Sequence, residues 1–336
     1  MKSKLYRTGQ FVLFLLLGIV LLYFAFRGID LDDVTAQIRN ADYRWVAFSL
    51  FFGFVALILR TLRWQMLIKP LDRHPKTINI FHAINTGYLA NFVFPRIGEI
   101  TRCGVLNRTD DVPVDKLFGT VVVERVFDML LSIFSLCLIL ILRFDAVSSF
   151  ITEHIVHPAF ERFDGAGLTL AAIVLIFLSL FALYILFSKQ LSKINALKKI
   201  SNILRGVIEG IKSVSRMQNF LLFIALSFAI FGMYLMQTYV MFFALESTSS
   251  LGLVDALFVL VLSAMAIILP VQGGIGAYHW IVSMGLTIFG LSREEGMVYA
   301  TISHSVTSIL FIVLGAISLI FVLKTSKKMK KNENLN

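Results

Sequence analysis

The sequence predicts an all-α fold: a polytopic helical membrane protein with about six full spans and two re-entrant or broken helical hairpins. Composition is the first reason. Of 336 residues, 57% are hydrophobic and only 15% charged, with a mean hydropathy of +0.82; a soluble domain carries roughly 25% charged residues. The second reason is distribution. The apolar excess is gathered into runs of about 16 to 25 residues almost free of charge, the length that crosses a hydrocarbon core of about 30 Å as a helix. Third, the short alternating segments of a membrane barrel are missing. A soluble enzyme, a secreted disulfide scaffold and a disordered chain are excluded together.

The elements follow in order. Lys2, Lys4 and Arg7 precede an apolar run from Phe11 to Phe26, and Arg27-Gly28-Ile29-Asp30 then follows without a small-residue cleavage site. This reads as an uncleaved first span. A second run, 45–59, ends in Arg60, Arg63 and Trp64, a basic-aromatic pattern suited to the membrane interface. A third, 78–95, is weakened by His82, Asn85, Gly87, Asn91 and Pro95. Further runs cover 117–142, 167–187 and 220–245, then the pair 253–269 and 276–290 split by Pro270–Gly276, and finally 296–323. Lys324, Lys327, Lys328, Lys330 and Lys331 form a basic cytoplasmic tail over 324–336.

Loop charge sets the expected topology. The net charge of +10 is the Lys/Arg excess of cytoplasmic loops rather than a nucleic-acid surface. Residues 27–44 carry three basic and four acidic side chains and belong outside; the basic 60–77 and 188–219 belong inside. Both are satisfied when 78–110 enters from the cytoplasmic side and returns, and when 253–290 is a hairpin entering from the other side. The order span, span, broken hairpin, span then occurs twice with opposite sense, within one membrane domain whose halves are 1–166 and 167–323. That is an inverted-topology repeat, in which interrupted helices mark the binding site. Apolar residues at helical spacing among the lysines of 188–219 predict an amphipathic helix on the inner leaflet. Both termini are expected in the cytoplasm and the chain in the cytoplasmic membrane.

Three polar clusters stand out, since an ionised group at the centre of a spanning helix costs about 2.5–3.5 kcal/mol. The first is Asn91-Phe-Val-Phe-Pro95-Arg96-Ile-Gly98-Glu99-Ile-Thr-Arg102, where Pro95 and Gly98 break the helix. Glu99 and Arg102 can pair three residues apart, leaving Arg96 for a phosphate. The second is Glu124-Arg125-Val-Phe-Asp128. Glu124 and Asp128 share a helical face and need a cation between them, for which Arg96 and Arg102 are candidates; Arg125 points about 100° away. The third is Pro270-Val-Gln272-Gly273-Gly274-Ile-Gly276-Ala-Tyr278-His279, whose amides and following helix N-terminus can receive an anion. A ligand site and a polar knot that merely locks the hairpins fit these residues alike. Cys103 and Cys137 have no partner at useful spacing, so neither a disulfide nor a metal site is expected, and no cofactor.

These three strings, in this order, resemble the lysylphosphatidylglycerol synthase transmembrane region family of flippase-like membrane proteins, and Arg60-x-x-Arg63-Trp64 is similar to a weaker element of it. The resemblance covers nearly the whole chain. It implies translocation of an aminoacylated phospholipid by the membrane region. About a dozen residues follow the last run, so the membrane region without the soluble synthase domain is expected.

The function expected is a flippase-like protein that binds or translocates an anionic or aminoacylated phospholipid or another lipid-linked phosphate such as a polyprenyl phosphate. Its substrate-binding residues would come from Asn91, Arg96, Glu99, Arg102, Glu124, Arg125, Asp128, Gln272, Gly273, Gly274, Gly276 and His279. Two other functions fit: an intramembrane enzyme on a lipid-linked substrate, and a noncatalytic scaffold presenting lipid to a separate lipid-modifying enzyme. No HExxH, GxSxG or nucleophile–base pair favours the enzyme.

Overall fold

Each long apolar run that can be followed in the computed structural model folds as helix, since a chain in lipid must satisfy its backbone internally. The structure describes residues 15–71, 74–144 and 219–333. Among them there are ten helices and no strand. The described residues up to Ile139 and from Asn219 onward belong to one compact unit. Residues 140–144 begin a second, most of which lies outside the described residues, as do the expected span 167–187 and the amphipathic helix of 188–219.

Helix α1 (Leu15–Phe26) is apolar and ends ahead of Gly28, which takes φ +80°. The short α2 (Leu31–Asn40) starts where the Asp30 carboxylate accepts the N–H groups of Asp32 and Asp33 at 2.9 and 3.4 Å. Its acidic first turn and Arg39 in the last turn suit the helix dipole. Asp42 caps α3 (Tyr43–Ile68) by accepting the Arg44 N–H. The hydrogen bonds of Arg44 hold the Asp42 carboxyl below its usual pKa.

Then come α4 (Thr77–Val93), α5 (Gly98–Asp110), α6 (Val114–Leu142), α7 (Phe220–Phe242), α8 (Leu253–Ile268), α9 (Ala277–Leu286) and α10 (Arg293–Glu333). The helices α3, α6, α7 and α10 are long and apolar enough to cross a membrane; α1 and α8 are shorter apolar helices. The outward faces match that solvent. On α10, Ile309, Ile312, Val313, Ile317 and Ile320 are all exposed, an apolar stripe too continuous for a soluble surface.

α3 does not end at Arg60 as expected. It runs two further turns to Ile68, and Arg60, Arg63 and Trp64 are buried inside the bundle instead of standing at an interface. The reason is that acidic partners await them on α6.

The two broken runs are helical hairpins. α4 folds back on α5 through Phe94–Ile97, and α8 on α9 through Leu269–Gly276. Gly87 and Gly98 let α4 and α5 touch by their backbones: a Cβ on Gly87 would stand 2.7 Å from the Gly98 carbonyl oxygen, and one on Gly98 would collide with the Gly87 carbonyl. α3 lies along α7, α10 packs on α4, and α9 packs on both α8 and α10. The breaks of the two hairpins meet. Gln272 Nε2 donates to the Val93 carbonyl at 3.3 Å, and the Phe92 ring fills the space beside Gly273.

Candidate functional site

The site begins on α6. Glu124 and Asp128 lie one turn apart, where two carboxylates repel. The cations that resolve this come from α3. Arg60 reaches Glu124 at 2.6 Å and Asp128 at 3.9 Å. Arg63 reaches Asp128 at 2.7 Å and Glu124 at 3.4 Å. This corrects the expectation that Arg96 or Arg102 fills that place: Arg102 adds a contact to Glu124 alone, at 3.1 Å.

Arg102 also pairs with Glu99 at 2.8 Å, across the i,i+3 spacing of α5. Arg125 does not point away to an acceptor of its own. Its long side chain turns back and ties together Glu124, Asp128 (2.8 Å) and Glu99 (3.5 Å). Among the described residues these ion pairs set four arginines against three carboxylates, a formal excess of one positive charge.

Burial makes that excess consequential. Glu124 is 1% exposed and Arg63 fully buried. Ions taken out of water need close, multiple partners, and Glu124 has four. Aromatic faces supply part of the remaining solvation. The Arg102 guanidinium lies 4.4 Å over the Trp64 ring, Arg60 5.7 Å over Tyr88, and Arg63 5.9 Å over Phe223. Even so, the Nε donors of Arg60, Arg63, Arg102 and Arg125 find no hydrogen-bond acceptor among the described residues. Buried donors are rarely left so.

The α4–α5 turn stands beside this network. Asn91 Oδ1 accepts the Gly98 N–H at 2.8 Å and so closes the hairpin. Arg96 takes φ +64°, a left-handed conformation uncommon for a residue with a Cβ.

The glycine-rich break is held partly by its own hydrogen bonds. Three of its amides are donated within the loop: Gly274 to the Val271 carbonyl, Ile275 to the Gln272 carbonyl, and Gly276 to His279 Nδ1 at 3.4 Å. Gly273, Gly274 and Gly276 all have positive φ. A Cβ on Gly276 would lie 2.6 Å from the Leu22 nitrogen and 2.7 Å from the Gly18 oxygen, so this glycine seats α1 against the break. The Gly273 carbonyl is bound by His304 Nε2 at 2.8 Å.

Between the arginines and the break lies a cavity of about 670 Å³. Its charged wall is Arg60, Arg96, Glu99, Arg102, Arg125 and Asp128, with Asn91 beside them. Its other walls are apolar and aromatic, with uncharged polar groups from Ser49, Gln237, Tyr278, Ser303 and Thr307. Gly273 and Gly274 line it as well; Glu124, Gln272, Gly276 and His279 stand behind the lining. The arrangement can hold an anion against fixed guanidinium groups while an apolar chain occupies the remaining volume.

Sequence reasoning gave Arg60 and Arg63 the wrong place and overlooked Tyr88, Tyr234 and Gln237. A signal existed for the arginines. They are three apart on one face of an unbroken helical run, and Glu124 with Asp128 is the complementary acidic pair. Nothing local marks Tyr234, whose hydroxyl accepts from Arg60 at 3.3 Å.

Two archaeal proteins are similar over nearly their whole length. A UPF0104 membrane protein of Methanocaldococcus jannaschii is 23% identical over 327 residues, 90% of this chain and 92% of that one. A UPF0104 membrane protein of Methanothermobacter thermautotrophicus is 23% identical over 304 residues, 83% and 85% of the two chains. The glycosyltransferase AglD of Haloferax volcanii is 29% identical over 130 residues, 38% of this chain but only 21% of AglD. No solved structure matches significantly. The family model described as the lysylphosphatidylglycerol synthase TM region matches residues 11–315, and with a cavity and ion network built on the motifs of that stretch, the chain is an integral membrane protein belonging to this family.

Proposed function

We propose that the protein is flippase-like: it binds the phosphate of an anionic or lipid-linked substrate in the cavity and moves that lipid between leaflets. The observation that carries this is the charged wall. Arg60, Arg102 and Arg125, three arginines of the four-arginine, three-carboxylate network, line it with buried Nε donors left over, beside apolar volume. A phosphate supplies the missing negative charge and acceptors bidentately, and the apolar walls suit an acyl or prenyl chain. The meeting of two broken hairpins supports a binding site at a repeat interface, opened alternately as one half rocks on the other. Under this reading α4–α5 and α8–α9 are re-entrant from opposite sides. The basic 1–10, 60–77 and 324–336 segments support cytoplasmic termini in the cytoplasmic membrane.

The test is leaflet exchange. The full chain is reconstituted into liposomes carrying fluorescent phosphatidylglycerol or polyprenyl phosphate, and an impermeant quencher reads the outer leaflet. Exchange faster than in protein-free liposomes, lowered about tenfold or more by Arg102→Ala, supports the reading. Exchange at the protein-free rate for both lipids, from folded protein, speaks against it.

A second reading has one observation in its favour. The stretch similar to AglD is about a fifth of a longer protein named as a glycosyltransferase. A lipid-presenting partner of a separate lipid-modifying enzyme would use the same cavity. A stable co-purifying enzyme, together with lipid binding but no exchange, would select it.

A further inference from the structure

We infer that the lipid taken by this cavity bears an uncharged, hydroxyl-rich headgroup on its phosphate, a glycerol or a cyclic polyol or sugar, and that a cationic aminoacyl headgroup is refused. The inference rests on the reading of the cavity as a lipid-phosphate site.

The charge distribution around the cavity refuses the cation. The charged side chains that line it are four arginines, Arg60, Arg96, Arg102 and Arg125, and two carboxylates, Glu99 and Asp128. Neither carboxylate is left for a ligand ammonium. Glu99 is bridged by Arg102 and Arg125, and Asp128 by Arg63 and Arg125. Behind the wall Glu124 is already held by four arginines. A phosphate monoanion takes up the excess positive charge of the network and frees neither carboxylate. An ammonium brought alongside would face guanidinium groups at low dielectric, where like charges repel far more strongly than in water.

The wall away from the arginines receives hydroxyls. Thr307 donates its O–H to the Ser303 carbonyl at 2.9 Å, and Ser49 donates to the Gln237 carbonyl at 3.1 Å. Both hydroxyl protons are thereby committed to backbone, and the oxygens keep lone pairs that can accept. Gln237 donates one amide N–H to Thr307 Oγ1 at 3.3 Å and keeps a second N–H and a carbonyl lone pair. Gly53 makes room for that amide, since a Cβ there would lie 3.0 Å from Gln237 Nε2. Tyr278 and Ser303 share one hydrogen bond at 3.0 Å, and the tyrosine adds an aromatic face. Neutral donors and acceptors of this kind match alcohol groups, each a donor and an acceptor at once.

The test compares phospholipids with identical acyl chains on the full chain in nanodiscs: phosphatidylglycerol, phosphatidylinositol, phosphatidylmethanol and lysylphosphatidylglycerol. Phosphatidylmethanol carries the same charge as phosphatidylglycerol without a headgroup hydroxyl. The better of the two polyol lipids should bind about tenfold or more tightly than the lysyl form. It should bind about three- to tenfold more tightly than phosphatidylmethanol, the worth of one or two added hydrogen bonds. Which polyol lipid leads distinguishes a glycerol from a cyclic headgroup. Gln237→Leu and Thr307→Val should erode the advantage over phosphatidylmethanol while the lysyl form stays weak. Equal or tighter binding of the lysyl form overturns the inference but leaves the lipid-phosphate reading standing. Phosphatidylmethanol matching both polyol lipids overturns the headgroup assignment alone. Failure of all four to bind a protein whose helical circular dichroism is intact overturns the lipid-phosphate reading and this inference with it.

Discussion

The Arg102 guanidinium lies 4.4 Å above the Trp64 ring, while the indole Nε1 donates to Thr120 Oγ1 at 2.9 Å. One fully buried side chain thus solvates a cation from α5 and fastens α3 to α6. Trp64→Ala should destabilise the protein by about 3–5 kcal/mol, the usual cost of emptying a buried Trp site. Trp64→Phe keeps a ring under Arg102 and loses the hydrogen bond, and should cost about 1 kcal/mol. Thermal unfolding in detergent by circular dichroism ranks the two; equal losses would mean that the ring contributes nothing to the site.

Arg63 and Arg125 touch the same carboxylates and should behave differently. Arg63 is fully buried and does not line the cavity, whereas the Arg125 side chain is 41% exposed and does. Removing one partner of a buried pair costs about 3–5 kcal/mol, so Arg63→Met should lower the melting temperature and the yield of folded protein. Arg125→Gln should leave the melting temperature near that of the parent and weaken phosphatidylglycerol binding about tenfold. Binding and melting measured on both variants check this, and a loss of binding without a loss of stability in Arg63→Met would reverse the assignment.

Coupling between α3 and α6 is also measurable. If Arg63 and Asp128 act as a pair, Asp128→Asn added to Arg63→Met should cost less than its effect alone. The coupling energy should be about 0.5–3 kcal/mol. Additive losses in a double-mutant cycle would show that Arg125 and Arg60, the other partners of Asp128, carry its stabilisation.

The hairpin turns are held by contacts that a methyl group cannot tolerate. Gly98→Ala collides with the Gly87 carbonyl and the Asn91 amide, and Gly276→Ala meets the α1 backbone at a positive φ of +82°. Asn91→Ala removes only the hydrogen bond to the Gly98 N–H, a loss of about 1 kcal/mol. Protease accessibility and melting in detergent should therefore rank Gly98→Ala well below Asn91→Ala. Gly276→Ala should loosen α1, visible as faster labelling of a cysteine placed on it.

The sequence by itself determined the helical membrane class, the helical character of the long apolar runs among the described residues, and the two breaks at Pro95–Gly98 and Pro270–Gly276. It also determined the Glu99–Arg102 pair. All of these depend on neighbours within a few residues: the length of an apolar run, the loss of an N–H at proline, the fixed pitch of a helix. What only the tertiary structure decided depends on how helices rotate and cross. Arg60 and Glu124 are 64 residues apart, and Gln237 and Thr307 are 70. Helical periodicity places each on a face of its own helix and says nothing about which face it meets. Hence Arg60, Arg63 and Trp64 read as an interface boundary until α6 brought Glu124 and Asp128 against them. In the glycine loop the amides of Gly274, Ile275 and Gly276 close on Val271, Gln272 and His279, a pairing that local sequence does not reveal. Buried charge forces an arginine to find a carboxylate, but only the packing of α3 on α6 chooses which one.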